Sequence, residues 1–518
     1  MLKKFNKPKI LVFIIFIFLM SLVKVDYRFE EIDYGKSVDD AEYYYSAITV
    51  GVDYDLDFSN QMEGVENRYL NKENNNIVPF HPIGSGILAA PFIIISNLLI
   101  EPFLKSNLVS FNFFIYSLVP IFYFFTSIKL LIISLNNLKI SHDKKHLLFF
   151  ILGTGVTYYS FDRFSMSHTY EFFSTSFIIY LTTKLIGKIK INQFYFFLLG
   201  FCIVLFLSIR FTNYFLFLIP AILLHLEGLR LRNIYLNPFF IIGTAVGSVL
   251  FLLHTKYLYG VYTFNQAGIV LSVENSIGDT YSNFFIISKL GENLKLVFNS
   301  LLNIFFGQEF GLLYFSPIIF VGLIYVLFFI YQKKYFLFLL LGASYLIPFF
   351  SVIVLQNTGF SFGYRYLFVL IPLNIIIYFK CFQQNKLIRN YLIIFSILGF
   401  LGYILFETTE YTSLSQDYLI NSFGMETRYS NPDYLANLFK SIGNINSYLH
   451  IIFTSFIGVL LIKIINLFMS PSKFFGIFTT VTPEIEEMIL NSISFSWMKV
   501  FIIYFLIYYF IRQFVKFK

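Results

Sequence analysis

Asp39-Asp40-Ala41-Glu42 sets three carboxylates within four residues, directly before the aromatic run Tyr43–Tyr45. On a helix Asp39 and Glu42 are three apart and share one face. Carboxylates gathered beside an apolar patch suit a general base, the group that takes the proton from an attacking hydroxyl. A second constellation runs Asp162-Arg163-Phe164-Ser165-Met166-Ser167-His168-Thr169-Tyr170-Glu171. It places His168 and Glu171 three apart at the entrance of an apolar span, where both can face one divalent cation or one pyrophosphate. An ordinary helix cap with an exposed histidine uses the same residue types. The sequence holds no P-loop, no glycine-rich dinucleotide motif and no zinc signature.

These residues must be positioned by a very apolar chain. Of 518 residues 57% are hydrophobic and 13% charged, the mean hydropathy is +0.70, and phenylalanine occurs 70 times. Soluble chains carry about 25% charged residues. The composition therefore predicts an all-α polytopic membrane protein. Cys202 and Cys381 fall in or beside apolar segments, which excludes a disulfide framework and a cysteine metal site. The net charge of +8 comes from small basic clusters between apolar stretches. That is the pattern of cytoplasmic loops under the positive-inside rule, and it does not indicate a nucleic-acid partner.

The spans follow from hydropathy. Lys3, Lys4, Lys7 and Lys9 precede an apolar run, Ile10–Val23, with no small-x-small cleavage site after it. It is expected to be a retained first helix with a cytoplasmic N-terminus, short enough that Lys9 and Lys24 snorkel. Further crossings are expected at Leu108–Leu135, Leu147–Phe161, Glu171–Ile186, Phe194–Ile209, Tyr214–Leu226 and Phe239–Leu253. Others are expected at Leu312–Tyr331, Phe336–Leu355, Tyr364–Phe379, Tyr391–Phe406 and Leu449–Met469. The basic connectors Lys139–His146, Lys184–Lys190, Glu227–Arg232, Gln332–Lys334 and Lys380–Arg389 read as cytoplasmic. Asp162–Tyr170, Thr255–Gly311 and Glu407–Tyr448 then face outward.

His81–Glu101, rich in glycine and proline, reads as a re-entrant or interfacial hairpin, because a full crossing would place Lys139–His146 outside. Glu484–Met498 reads as an amphipathic surface helix. Trp497–Ile511 is apolar with bases at both ends, compatible with a last crossing. In total about eleven to thirteen transmembrane helices are expected. Between Lys24 and Phe80 stand 13 acids and five bases, a net of −8 in one large outer loop. Most of these carboxylates read as simply solvated. The Asp39–Glu42 segment is expected on a short amphipathic helix held at the membrane interface.

A first helix, then a large outer loop opening on an acidic pair, then "VPFHPIGSGILAAPF", resembles the GT-C class of integral-membrane glycosyltransferases. That class includes protein mannosyltransferase-like and lipid A aminoarabinose transferase-like enzymes. "VDDAEYYYSAITVGVDYDLDFSN", "GQEFGLLYFSPIIF" (Gly307–Phe320) and "GFSFGYRYLFVLIPL" (Gly359–Leu373) are similar to bacterial members. The resemblance covers residues 10–469. It implies a GT-C-like transmembrane domain over 1–470, with 24–80 as its first extracytoplasmic loop and 471–518 as a C-terminal amphipathic segment plus the last apolar stretch. It also implies a polyprenyl-phosphate sugar donor and an acidic base early in the first outer loop, carried over to Asp39 or Asp40. Where the family often places Lys-Pro-Pro, this chain has His81-Pro82, which leaves the role of His81 open.

Such a donor presents an anionic head group at the outer interface while its tail stays in lipid. Cations must then stabilise the leaving phosphate. Arg210 and Arg365 end apolar spans on the expected outer side and are the candidates for that role, snorkelling anchors being the alternative. Arg163 and Lys256 are weaker candidates. Glu42, His81, His168 and Glu171 are candidate substrate or metal contacts. No cofactor is required by the sequence, and the class contains both cation-dependent and cation-independent enzymes, so a divalent cation stays open. Tyr262, Asn265 and Gln266 are expected near the acceptor path. The expected partners are the lipid-linked donor, membrane lipids and a glycan, lipid or protein acceptor, with the protein in the bacterial inner membrane and its site extracytoplasmic. Two rivals differ in pattern. An O-antigen polymerase or ligase should carry its large loop late in the chain. A lipid-linked sugar transporter or flippase should show paired internal repeats and midplane polar residues.

Overall fold

A computed structural model describes residues 38–62, 69–70, 77–79, 81–100, 108–186, 192–264, 290–308, 310–355, 363–405, 434–444, 447–448, 451–452, 455–470, 473 and 496–516. The expected first helix Ile10–Val23, the acids Asp26 to Asp33, Asn265, Gln266 and most of Glu484–Met498 lie outside these residues.

The fold is all-α. Helix α1 (Val38–Ile48) runs into one π-turn, Thr49–Asp53. Then come α2 (Gly84–Ile100), α3 (Leu108–Asn137), α4 (Lys144–Leu152), α5 (Gly155–Phe161), α6 (His168–Ile186) and α7 (Phe194–Leu205). Helices α8 (Leu218–Leu226), α9 (Arg232–Tyr235), α10 (Pro238–Tyr259), α11 (Leu290–Phe306), α12 (Leu312–Phe315) and α13 (Pro317–Tyr331) follow. The last are α14 (Tyr335–Leu355), α15 (Ile371–Cys381), α16 (Lys386–Ile404), α17 (Tyr434–Ile442), α18 (Phe456–Ile465) and α19 (Trp497–Lys516). Tyr69–Leu70 pairs antiparallel with Ile77–Val78 in a minimal hairpin. Among the described residues three helices are long and apolar enough to cross a membrane: Phe111–Asn137, Pro238–Tyr259 and Lys386–Ile404.

Local chemistry sets several helix ends. Asp143 accepts from the Lys145 N–H at the start of α4, and Asn385 accepts from the Leu387 and Ile388 N–H groups at the start of α16. Asn237 caps α10 ahead of Pro238, and the helix ends where Gly260 turns left-handed, at φ 75°. Helix α3 lies inside the assembly, 67% of its most apolar window being buried, against 28% for α10 and α16. It packs along α6, and Tyr123 meets the rings of Tyr170 and Phe173 at 5.4 and 4.5 Å.

Helices α7 and α10 pack more extensively than any other pair. A Cβ at Gly243 would overlap the Phe197 carbonyl oxygen, and one at Gly200 would overlap that of Phe240. Small residues let two backbones touch where apolar side chains alone give no preference over lipid. Gly243→Val should therefore force the pair apart and destabilise the protein by about 1–3 kcal/mol. A melting point unchanged from wild type in a detergent thermal-shift measurement would refute the close-packing account.

Three expectations need correction. Residues 81–101 do not form a hairpin: Gly84–Ile100 is one helix with Pro91 inside it. Its glycines serve close approach, since a Cβ at Gly84 would overlap Ser208 and one at Gly86 would overlap Ser46. Second, α1 is not a one-sided interfacial helix. Apart from the half-buried Tyr45 and Ile48, the residues from Asp40 to Thr49 are buried, between α2, α3 and the Asp162–Ser167 turn. Third, several expected straight spans are broken. Leu147–Phe161 divides at Gly153-Thr154, where a Cβ on Gly153 would overlap Ser396 of α16. Leu312–Tyr331 divides at Ser316, ahead of Pro317. Tyr214–Leu226 and Tyr364–Phe379 both begin as 3-10 turns, at Phe211–Phe217 and Arg365–Leu370.

Those two 3-10 entrances matter for position. One follows Arg210 and leads into α8; the other starts at Arg365 and leads into α15. At the far ends of the same segments Lys380 is ion-paired to Glu227. The near ends, with their arginines, are held against α6, which the Arg365–Leu370 turn contacts along its first half.

Candidate active site

Three polar constellations meet where α1, α2 and α6 start. The first centres on Asp40, 1% exposed. Arg163 donates to its Oδ2 from Nε at 3.2 Å and from Nη2 at 3.0 Å, and the Ser165 hydroxyl donates to Oδ1. The Asp162–Ser167 turn is thus clamped onto α1, and Tyr116 of α3 donates its hydroxyl to the Ser165 carbonyl at 3.2 Å. Arg163, a weak candidate for phosphate binding from sequence, is the partner of Asp40. Asp39 falls on the first turn of α1, with its side chain outside the described portion.

The second constellation is Glu42 with His81. Glu42 is fully buried, while the His81 side chain is 17% exposed. Oε2 of Glu42 accepts from the His81 backbone N–H at 2.9 Å and lies 2.7 Å from Nδ1 of the ring. The imidazole is tilted over Tyr43, centroids 5.3 Å apart.

The third is built on the first turn of α6. His168 Nδ1 lies 2.8 Å from Glu171 Oε2, and Thr212 donates to Glu171 Oε1 at 2.9 Å. Arg210 donates to Ser167 Oγ at 3.0 Å, with its Nη1 3.4 Å from His168 Nε2 and 3.8 Å from Glu171 Oε2. Its guanidinium stacks 4.2 Å from the centre of the Tyr366 ring, while Arg365 stands 5.4 Å from the same centre. One buried tyrosine therefore carries two guanidiniums, an arrangement its electron-rich face favours. Burial opposes the charge on Arg210, but Tyr366, Tyr43 and Glu171 around it raise its pKa above the usual arginine value. It is cationic at any physiological pH.

The structure thus brings Asp40, Glu42, His81, His168, Glu171, Arg210 and Arg365 to one end of the bundle, together with Arg163. Arg210 is 8% exposed, so it is no snorkelling anchor, and Tyr364 and Tyr366 beside Arg365 are buried. Lys256 lies apart: its Nζ donates to the Gly260 carbonyl at 2.8 Å, capping α10 beside the exposed Tyr262. Sequence reasoning missed Ser165, Ser167 and Thr212, single hydroxyls without a pattern, and the platform role of Tyr366.

His168 and Glu171 bind each other, with a guanidinium beside them. Among the described residues no group of three or more His, Cys, Asp or Glu side chains is arranged to hold a metal. Two donors already paired and a neighbouring cation do not fit a divalent ion, whereas the guanidiniums fit an oxyanion. No family model matches the chain, and no curated protein or solved structure is significantly similar to it.

Proposed function

We propose that the chain is a polytopic membrane glycosyltransferase that moves a sugar from a polyprenyl-phosphate donor to an acceptor hydroxyl on the extracytoplasmic face. One observation carries this reading: Arg210 and Arg365 share the Tyr366 ring beside the His168–Glu171 pair. Two guanidiniums on one platform can hold a phosphate through several charge-assisted hydrogen bonds. They also stabilise the negative charge that grows on phosphate as the sugar–oxygen bond breaks. Arg163, fixed by Asp40, adds positive potential from the turn that precedes His168.

The apolar helices suit a donor whose tail stays in lipid while its head group reaches the site. A base must take the acceptor proton, and the family resemblance points to the first-loop acids Asp39 or Asp40 for it. The acceptor is a glycan, lipid or protein hydroxyl, and the membrane is the bacterial inner membrane. The decisive experiment supplies purified full chain in proteoliposomes with undecaprenyl-phosphate hexoses and pentoses, using membranes of a deletion strain as acceptor source. Formation of undecaprenyl phosphate coupled to labelled product is the expected result; none with any donor would sink the reading.

The orientation has its own test. The basic connectors at Lys139–His146, Gln332–Lys334 and Lys380–Arg389 lie at the opposite helix ends from the arginine cluster. Ser59 is exposed in the loop after α1. Ser59→Cys should react with a membrane-impermeant maleimide in intact cells whose outer membrane is permeabilised. Labelling only after lysis would place the site on the cytoplasmic side.

A further inference from the structure

We infer that His81, oriented by Glu42, is the group that takes the acceptor's proton, an inference that rests on the glycosyl-transfer reading above. Asp40 is poorly placed for that task. Its Oδ2 takes two bonds from Arg163 and its Oδ1 the Ser165 hydroxyl, so accepting a proton there would break a buried ion pair. Glu42 and His81 are arranged differently. A carboxylate accepts and cannot donate, so the 2.7 Å contact between Oε2 and Nδ1 requires the proton on Nδ1. In the neutral ring, the form that can act as a base, the lone pair then sits on Nε2, at the other side of the ring.

The geometry is fixed from both sides. The same Oε2 also accepts the His81 backbone N–H at 2.9 Å, so the carboxylate holds main chain and ring together. Next in sequence, Pro82 and the start of α2 are pinned by the close approaches of Gly84 to Ser208 and of Gly86 to Ser46. Ser208 lies two residues before Arg210, so the contacts that place His81 also fix its distance from the arginine cluster. Glu42 is fully buried while the His81 ring keeps 17% exposure, as needed for an orienting acid behind a base that meets substrate.

The step balances without another reactant. The acceptor oxygen forms the new bond to the anomeric carbon as the bond from that carbon to the phosphate oxygen breaks. The electron pair of the breaking bond stays on the phosphate, beside Arg210 and Arg365. The acceptor proton moves to Nε2, and the Glu42 carboxylate stabilises the resulting imidazolium.

The test uses the full chain in proteoliposomes with the same undecaprenyl-phosphate sugars and deletion-strain membranes. His81→Gln should lower kcat about 10²-fold with donor KM little changed. Glu42→Gln, which removes the acceptor for Nδ1, should lower kcat by about tenfold or more in the same way. Added imidazole should restore His81→Ala in proportion to its concentration, which a purely structural role does not allow. His81→Lys, which keeps a positive charge but loses the imidazole, should stay as impaired as His81→Gln. Wild-type kcat in His81→Gln, an active His81→Lys, or no rescue of His81→Ala by imidazole would overturn the assignment while leaving glycosyl transfer intact. No transfer by the wild-type chain would overturn both.

Discussion

On the proposed reaction Arg210→Ala should lower transfer from a polyprenyl-phosphate sugar about 10³-fold, and Arg210→Lys about 10²-fold, because each would remove transition-state stabilisation by a buried, preorganised hydrogen-bond donor. Arg210 is anchored at the cluster, bound to Ser167 and stacked at 4.2 Å on Tyr366. Lysine keeps the charge but loses the planar fork, and with it both the stacking and the two-point hold on phosphate. Glu171 keeps His168 and Thr212 as partners when Arg210 is gone, so the protein should remain folded. Steady-state kinetics on detergent-purified protein, with a melting curve recorded beside them, check this. Full activity in Arg210→Ala with the fold preserved would remove the phosphate site from this end of the bundle.

The second large effect concerns stability. Asp40 and Arg163 are 1% and 7% exposed, and removing one partner takes a buried ion-pair partner from the other. Asp40→Ala or Arg163→Ala should each cost about 3–5 kcal/mol. The double variant Asp40→Asn with Arg163→Gln, neutral on both sides, should recover a substantial part of that loss. Asp55→Asn, in the exposed loop where the Asp55 side chain accepts the Asp57 N–H, should change the melting point very little. Equal melting points for Asp40→Ala and wild type would show that the clamp does not hold α1 against the turn. A catalytic loss in Asp40→Asn at unchanged stability would return the base to Asp40.

Much of this site was visible in the sequence because charge is conspicuous in so apolar a chain. Asp40, Arg210 and Arg365 were picked out singly, Glu42 with Asp39 and His168 with Glu171 as neighbours three apart, and the structure places Asp40, Glu42, His168, Glu171, Arg210 and Arg365 together. The long-range pairings were not visible. Arg163 and Asp40 are 123 residues apart, and no local period links them. Tyr366 is one of 38 tyrosines, and nothing in its neighbours marks it as the platform for two guanidiniums. The all-α class followed from hydropathy, since apolar runs of helical length leave few alternatives. The interruptions did not follow. Glycine serves a turn or a close helix contact equally well, which is why Gly84 and Gly86 suggested a hairpin where the chain forms one helix. The division at Gly153 likewise depends on Ser396, a residue far away in sequence.

The cluster also gathers buried charges of both signs. Among the described residues Arg163, Arg210 and Arg365 stand with Asp40, Glu42, Glu171 and the buried Asp162. On the proposed reaction a donor phosphodiester, with one negative charge, competes with Glu171 for Arg210. On the proposed reaction the lipid product is a phosphomonoester that carries more charge than the donor did. Arg210 and Arg365 would then grip the product more tightly than the substrate, and departure of the spent lipid carrier, rather than sugar transfer, would set the pace of turnover. In that cycle Glu171 acts as a returning counter-ion: by reclaiming Arg210 it weakens the hold on the carrier and lets it go.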